Sequence, residues 1–152
     1  MEKKKMLLCT PIKEERLEEI RQFCDITVGG ELKYGKGSVD QAKFTEECKG
    51  YELVVLGDEP ANAEMLKAWA DSGMKFIGCA KGTPATVDWK ALADLGLELS
   101  YTPGRNAVTV AEFTIGLMLA VVRHIGCTFH DLREGRFTGA PMDNVYDVKD
   151  VK

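Results

Sequence analysis

The sequence predicts an α/β fold: a doubly wound, five-stranded parallel sheet of flavodoxin-like order, followed by one long helix. Three observations carry this expectation. Strand-like and helix-like segments alternate five times along the chain. The strand segments are mostly continuous apolar runs rather than period-two patterns, as expected of strands buried on both faces. Right-handed crossovers then leave a small doubly wound sheet as the most economical way to connect them. At 152 residues, 45% of them hydrophobic, the chain suffices for one domain core.

Each element has its own signal. Lys5 to Thr10 reads as the first strand, and Lys13 to Phe23 as an amphipathic helix with Leu17, Ile20 and Phe23 on one side. Asp25 to Val28 is a short second strand ending at Gly29-Gly30, and Leu32 to Gly37 is expected as loop. Ser38 is placed to cap a helix running to Cys48. Tyr51 to Gly57 is a β-branched third strand, Asn62 to Ser72 a helix, Lys75 to Ala80 the fourth strand, Val87 to Leu95 a helix and Leu97 to Thr102 the fifth strand. Trp69 and Trp89 fall on helices and are expected to pack on the sheet.

The last major element is Asn106 to Ile125. Thr102-Pro103-Gly104-Arg105 punctuates its entry, Asn106 or Thr109 can cap it, and Glu112 is expected near the positive end of the helix dipole. Between Glu112 and Arg123 there is no charge, and apolar residues occupy every face of the helical wheel. Such a helix must be covered on all sides. Its uncharged run is about half of what a bilayer span needs, so it reads as a helix sandwiched between domains or subunits. A weaker helical piece, Thr128 to Glu134, follows and closes at Gly135.

The net charge of -4 argues against nucleic acid or an anionic membrane as partner. The apolar run after the opening lysines ends by Cys9, too early for a secretory signal, so a cytoplasmic location is expected. Cys9, Cys24, Cys48, Cys79 and Cys127 form an odd set without a CxxC pair, which suits free thiols and no metal site.

In open parallel sheets, ligands bind beyond the carboxyl ends of the strands. The most suggestive of these ends is GCAKGTP, Gly78 to Pro84, where glycines let backbone amides approach a ligand and Lys81 adds a positive charge. A Gly-Thr-Pro turn is also a common way to leave a strand, so an anion site and a plain turn both stay open. His124 and His130 lack a carboxylate at catalytic spacing, Cys79 lacks a histidine to activate it, and Arg105 either holds an anion or is solvated.

Lys75 to Ile125, KFIGCAKGTPATVDWKALADLGLELSYTPGRNAVTVAEFTIGLMLAVVRHI, resembles the D-isomer-specific 2-hydroxyacid dehydrogenases. The most specific matches are Val87-Asp88, Thr102-Pro103-Gly104 followed by Asn106, and Val110 to Gly116. More loosely, the whole chain is similar to that family's first, substrate-binding domain. The resemblance implies an oxidoreductase using NAD or NADP on a small 2-hydroxy or 2-oxo acid. The substrate carboxylate would be held by Cys79, Ala80, Lys81 and Gly82 with Gly57 beside them, while Thr83, Arg105, Asn106 and Thr109 would lie at the cofactor cleft. The long helix would join two domains and contribute to a homodimer. Residues 1–105 would form the substrate domain, 106–137 the linking helices, and 138–152 a tail leading toward a nucleotide-binding domain.

Departures from the family pattern matter as much. No GxGxxG occurs, and neither histidine matches the family's catalytic one, so a truncated chain with no catalytic residue of its own, inactive alone, is expected. Asp58 and Glu59 follow Gly57 where phosphoglycerate-type members carry an arginine, and two acids at that rim would repel a dianionic substrate. Two other readings compete: a stand-alone carboxylate-binding or dimerisation module, and a receiver-like signalling domain with Asp58 at the end of the third strand. Against the receiver stands Thr10-Pro11, where an acidic pair would hold magnesium.

Overall fold

The computed structural model describes residues 2–136, so the expected tail at 138–152 lies outside the described residues. The chain divides into two compact units, Met1–Arg105 and Asn106–Lys152.

In the first unit, strands β1 (Lys4–Leu8), β2 (Cys24–Val28), β3 (Leu53–Leu56), β4 (Phe76–Cys79) and β5 (Glu98–Tyr101) form one parallel sheet in the order β2-β1-β3-β4-β5. This is the doubly wound order expected from the alternation. The helices are α1 (Glu14–Arg21), α2 (Gly30–Tyr34), α3 (Gln41–Glu47), α4 (Ala63–Asp71) and α5 (Trp89–Asp94). Three of them start on side-chain caps: Asp40, Asn62 and Asp88 accept from the amides of Lys43, Met65 and Ala91 at 2.9, 3.0 and 3.0 Å.

The core lies on one face of the sheet. Leu7, Val54, Leu56 and Ile77 point there and meet Phe44 of α3, Leu66 and Trp69 of α4, and Leu92 of α5. Trp69 packs edge-on against Phe44 at 5.8 Å and donates its indole N–H to the carbonyl of Thr45 at 3.2 Å, so its polar tip is satisfied inside the core. The step from β1 to β2 runs across the sheet opposite to the later steps, so right-handed crossovers put α1 on the other face.

Several local expectations are corrected. The segment expected as loop holds the short α2, which starts at Gly30 in a left-handed conformation (φ 55°) that a bulkier residue resists. Ser38 does not cap α3: its hydroxyl donates to the carbonyl of Gly35, and Asp40 takes the cap. Trp89 is 48% exposed and meets Tyr101 of β5 edge-on at 5.6 Å instead of being buried on the sheet.

The second unit holds α6 (Ala107–Val122) and α7 (Ile125–Arg133), bent by 61°. The single helix expected up to Ile125 stops early because His124 is left-handed (φ 53°), a conformation that cannot propagate a right-handed helix. Asn106 occupies the N-cap position without a side-chain hydrogen bond, Thr109 lies inside the helix, and Glu112 falls in its second turn. Along α6 the apolar side chains stand open, with Val108, Phe113 and Val121 at 70%, 66% and 72% exposure. Among the described residues no single helix is long and apolar enough to cross a membrane; only the bent pair α6 and α7 passes together, by length and composition.

Candidate functional site

The site is built at the carboxyl edge of the sheet, where the register sets Leu56 beside Cys79 and Cys79 beside Tyr101. Three connections leave this edge, and backbone bonds tie them together. Ala80 donates its N–H to the carbonyl of Leu56 at 3.0 Å. Thr102 donates to the carbonyl of Lys81 twice, from its amide at 3.0 Å and its hydroxyl at 3.2 Å. Ala61 pairs with Val87 in an isolated parallel bridge, its N–H donating to Thr86 and its carbonyl accepting from Asp88, both at 2.9 Å. With Ala61, Pro84 and Val87 buried, the loop after β4 is fixed at both ends.

Its tip is left open. Among the described residues, the N–H groups of Gly82 and Thr83 have no acceptor, although the Thr83 carbonyl accepts from Ala85 at 2.9 Å. Two adjacent unused donors on a rigid loop make a cradle suited to a carboxylate. A Cβ added at Gly82 would stand 3.6 Å from the carbonyl oxygen of Thr102 and 3.8 Å from the amide of Gly104, so the loop passes the β5 turn in ordinary contact.

Lys81 extends its ammonium to the carboxylate of Asp58 at the end of β3. That hydrogen bond holds the Asp58 carboxyl below its ordinary range, with the charges of Lys81 and Lys36 acting in the same direction. Cys79 is 3% exposed and burial pushes its thiol up, which makes it a packing group and not a nucleophile. No group of three or more potential metal ligands occurs among the described residues.

Of the residues singled out in the sequence, Gly57, Cys79, Ala80, Lys81, Gly82 and Thr83 come together here. Arg105 ends the first unit, exposed, whereas Asn106 and Thr109 belong to the second. Glu59 overturns the expectation of two acids at the rim: it is 1% exposed, accepting from the amide of Gly57 at 2.7 Å and from that of Glu31 at 2.8 Å. The Gly57 donor is thereby committed, and of the two acids expected at this rim Asp58 alone stays there, paired with Lys81. Neither the Glu59 clamp nor the Asp58–Lys81 pair has a sequence signal, because both join residues whose neighbourhood the sheet creates.

The β1–α1 connection tests whether this unit could also hold a dinucleotide. Its turn reads Thr10-Pro11-Ile12-Lys13 instead of a glycine run, and Glu14 and Glu15 occupy the first turn of α1. A pyrophosphate would find neither close backbone nor favourable charge there.

The profile of the D-isomer specific 2-hydroxyacid dehydrogenase catalytic domain matches residues 6–146. The chain belongs to this family. It is 29% identical over 133 residues to the D-3-phosphoglycerate dehydrogenase of Archaeoglobus fulgidus, covering 88% of this chain and 24% of that protein. Among solved structures it resembles an acyclic imino acid reductase in complex with NADPH and D-Arg, with a TM-score of 0.80 at 16% identity over 94% of this chain and 45% of that one. The NAD+-bound 3-phosphoglycerate dehydrogenase of Entamoeba histolytica is similar at a TM-score of 0.63 and 22% identity, over 80% of this chain and 40% of that one. At such identities the structures show a shared fold. The chain spans less than half the length of each of these relatives.

Proposed function

We propose that this chain is the substrate-binding part of an NAD- or NADP-dependent oxidoreductase acting on the CH–OH group of a D-2-hydroxy acid, and that the loop after β4 receives the substrate carboxylate. The observation that carries this is the pair of unused amides at Gly82 and Thr83 on a loop pinned at Ala80 and Val87. Family membership and the relatives that carry NADPH and NAD+ support the nicotinamide cofactor. The described residues offer no dinucleotide cradle of their own, so the hydride chemistry belongs to a nucleotide held elsewhere. This chain's part is to fix the acid end of the substrate. The bare apolar surface of α6 supports a homodimer formed through that helix.

The carboxylate assignment is tested on this chain directly. Titration with a 2-hydroxy acid, followed through backbone amide chemical shifts, should move Gly82 and Thr83 most. Gly82→Pro, which deletes one donor, should weaken binding by about tenfold or more, as expected for a hydrogen bond to a charged group. Gly82→Ala keeps the donor and should bind as the parent does. Binding that leaves both amide signals in place would refute the assignment.

A further inference from the structure

A recess of about 210 Å³ opens on the same edge of the sheet, between the ends of β1 and β3, lined by Thr10, Glu31, Leu32, Lys36, Gly57 and Asp58 among others. Asp58 is its shared wall with the loop after β4, because its carboxylate meets Lys81. Beneath it the backbone is rigid: the buried Glu59 carboxylate clamps the amides of Gly57 and Glu31, and Gly30 packs so closely that a Cβ there would lie 2.6 Å from Glu59 and 2.9 Å from Cys9.

The charges around the recess are not equally available. Asp58 is engaged by Lys81, and Glu31 accepts from the amide of Gly37 at 2.8 Å. Among the described residues, Lys36 has no carboxylate within 4 Å, and its charge reaches Asp58 only from a distance. It is exposed, and it is presented on a turn shaped by two left-handed glycines, Gly35 (φ 97°) and Gly37 (φ 72°), whose position the Glu31 contact holds.

We propose that this recess receives a second carboxylate of the substrate with Lys36 as its counter-charge, so that the acid bound at Gly82 and Thr83 is a 2-hydroxy or 2-oxo dicarboxylic acid. This rests on the assignment of the loop after β4 as the carboxylate cradle. A single lysine matches a single negative charge. A phosphate ester, at close to two negative charges near neutral pH, would meet Asp58 and Glu31 with only one cation to offset it.

The test is calorimetric titration of this chain with 2-hydroxybutanoate, 2-hydroxybutanedioate and the 3-phosphate ester of 2,3-dihydroxypropanoate. The dicarboxylate should bind about fivefold more tightly than the monocarboxylate, the scale of a solvent-exposed ion pair, and this preference should shrink as salt is raised. Lys36→Gln should abolish the preference while leaving 2-hydroxybutanoate affinity unchanged, and Lys36→Arg should keep it. Equal binding of the two acids, or a preference that survives Lys36→Gln, overturns the proposal and leaves the cradle standing. Tightest binding of the phosphate ester overturns the choice of a carboxylate. If none of the three binds, the cradle assignment fails and the dicarboxylate goes with it.

Discussion

Glu59 shows how a single side chain can set the frame of a site without touching a ligand. Buried at 1% exposure, it accepts the backbone amides of Gly57 and Glu31, distant from each other in sequence, joining the end of β3 to the start of α2. Truncation would strand both donors. Glu59→Ala is therefore expected to destabilise the chain by about 2–5 kcal/mol, and Glu59→Gln, which keeps one acceptor, by about 1–3 kcal/mol. Denaturant unfolding monitored by Trp69 fluorescence measures both; a loss under 0.5 kcal/mol for Glu59→Ala would contradict the clamp. None of this is legible in the sequence, where Asp58 and Glu59 look like a matched pair of surface acids. Their different fates follow from side-chain direction at the strand end, which periodicity does not encode there. Lys81 and Gly82, by contrast, stand out in the sequence, since a glycine-containing turn after an apolar strand already constrains where backbone donors can point.

At the scale of elements, α6 is the part whose composition conflicts most with its surroundings. A stretch without charge from Phe113 to Val122 leaves large apolar side chains open, Phe113 at 66% and Val121 at 72%. Water does not favour such a surface, and another protein surface would cover it. The chain should self-associate at micromolar concentration, and Phe113→Glu should weaken that association by about tenfold or more, the loss expected on removing one buried aromatic anchor. Sedimentation across a dilution series decides this: a parent that stays monomeric at tens of micromolar would rule out pairing through α6. The existence of this helix is plain from its apolar run, but its end is not. The break at His124 depends on one left-handed residue, and although histidine adopts that conformation more often than most side chains, it does so too rarely for a sequence to place the break.

At the scale of the whole molecule, stability should be bounded by pH on both sides. Asp58 and Glu52 are held below their ordinary values by hydrogen bonds to Lys81 and Lys4. A carboxyl depressed in the folded state stabilises above its unfolded value and loses that contribution as pH falls through the folded one, so weakening should begin below about pH 4.5. Cys9 and Cys48 are pushed upward by burial from an ordinary 9.0. A thiol raised in the folded state stabilises fully below its unfolded value and loses that contribution as pH rises. Above pH 9 each should cost roughly 1.4 kcal/mol per pH unit, because only the unfolded chain ionises there. Thermal melts from pH 3 to pH 11 should show a plateau between these limits, and stability unchanged at pH 10.5 would contradict the burial of the two thiols. The sequence by itself determined the α/β alternation, the parallel sheet, the apolar helix after β5 and the turn after β4, because each rests on local patterning or on short-range backbone chemistry. Tertiary structure alone decided that Glu59 is buried, that Asp58 neutralises Lys81, that Gly82 and Thr83 keep unused donors and that Lys36 faces a recess. Each of those depends on which distant segments the sheet order brings to one edge, and hydrogen-bond partners at that edge are chosen by geometry that no neighbouring residue specifies.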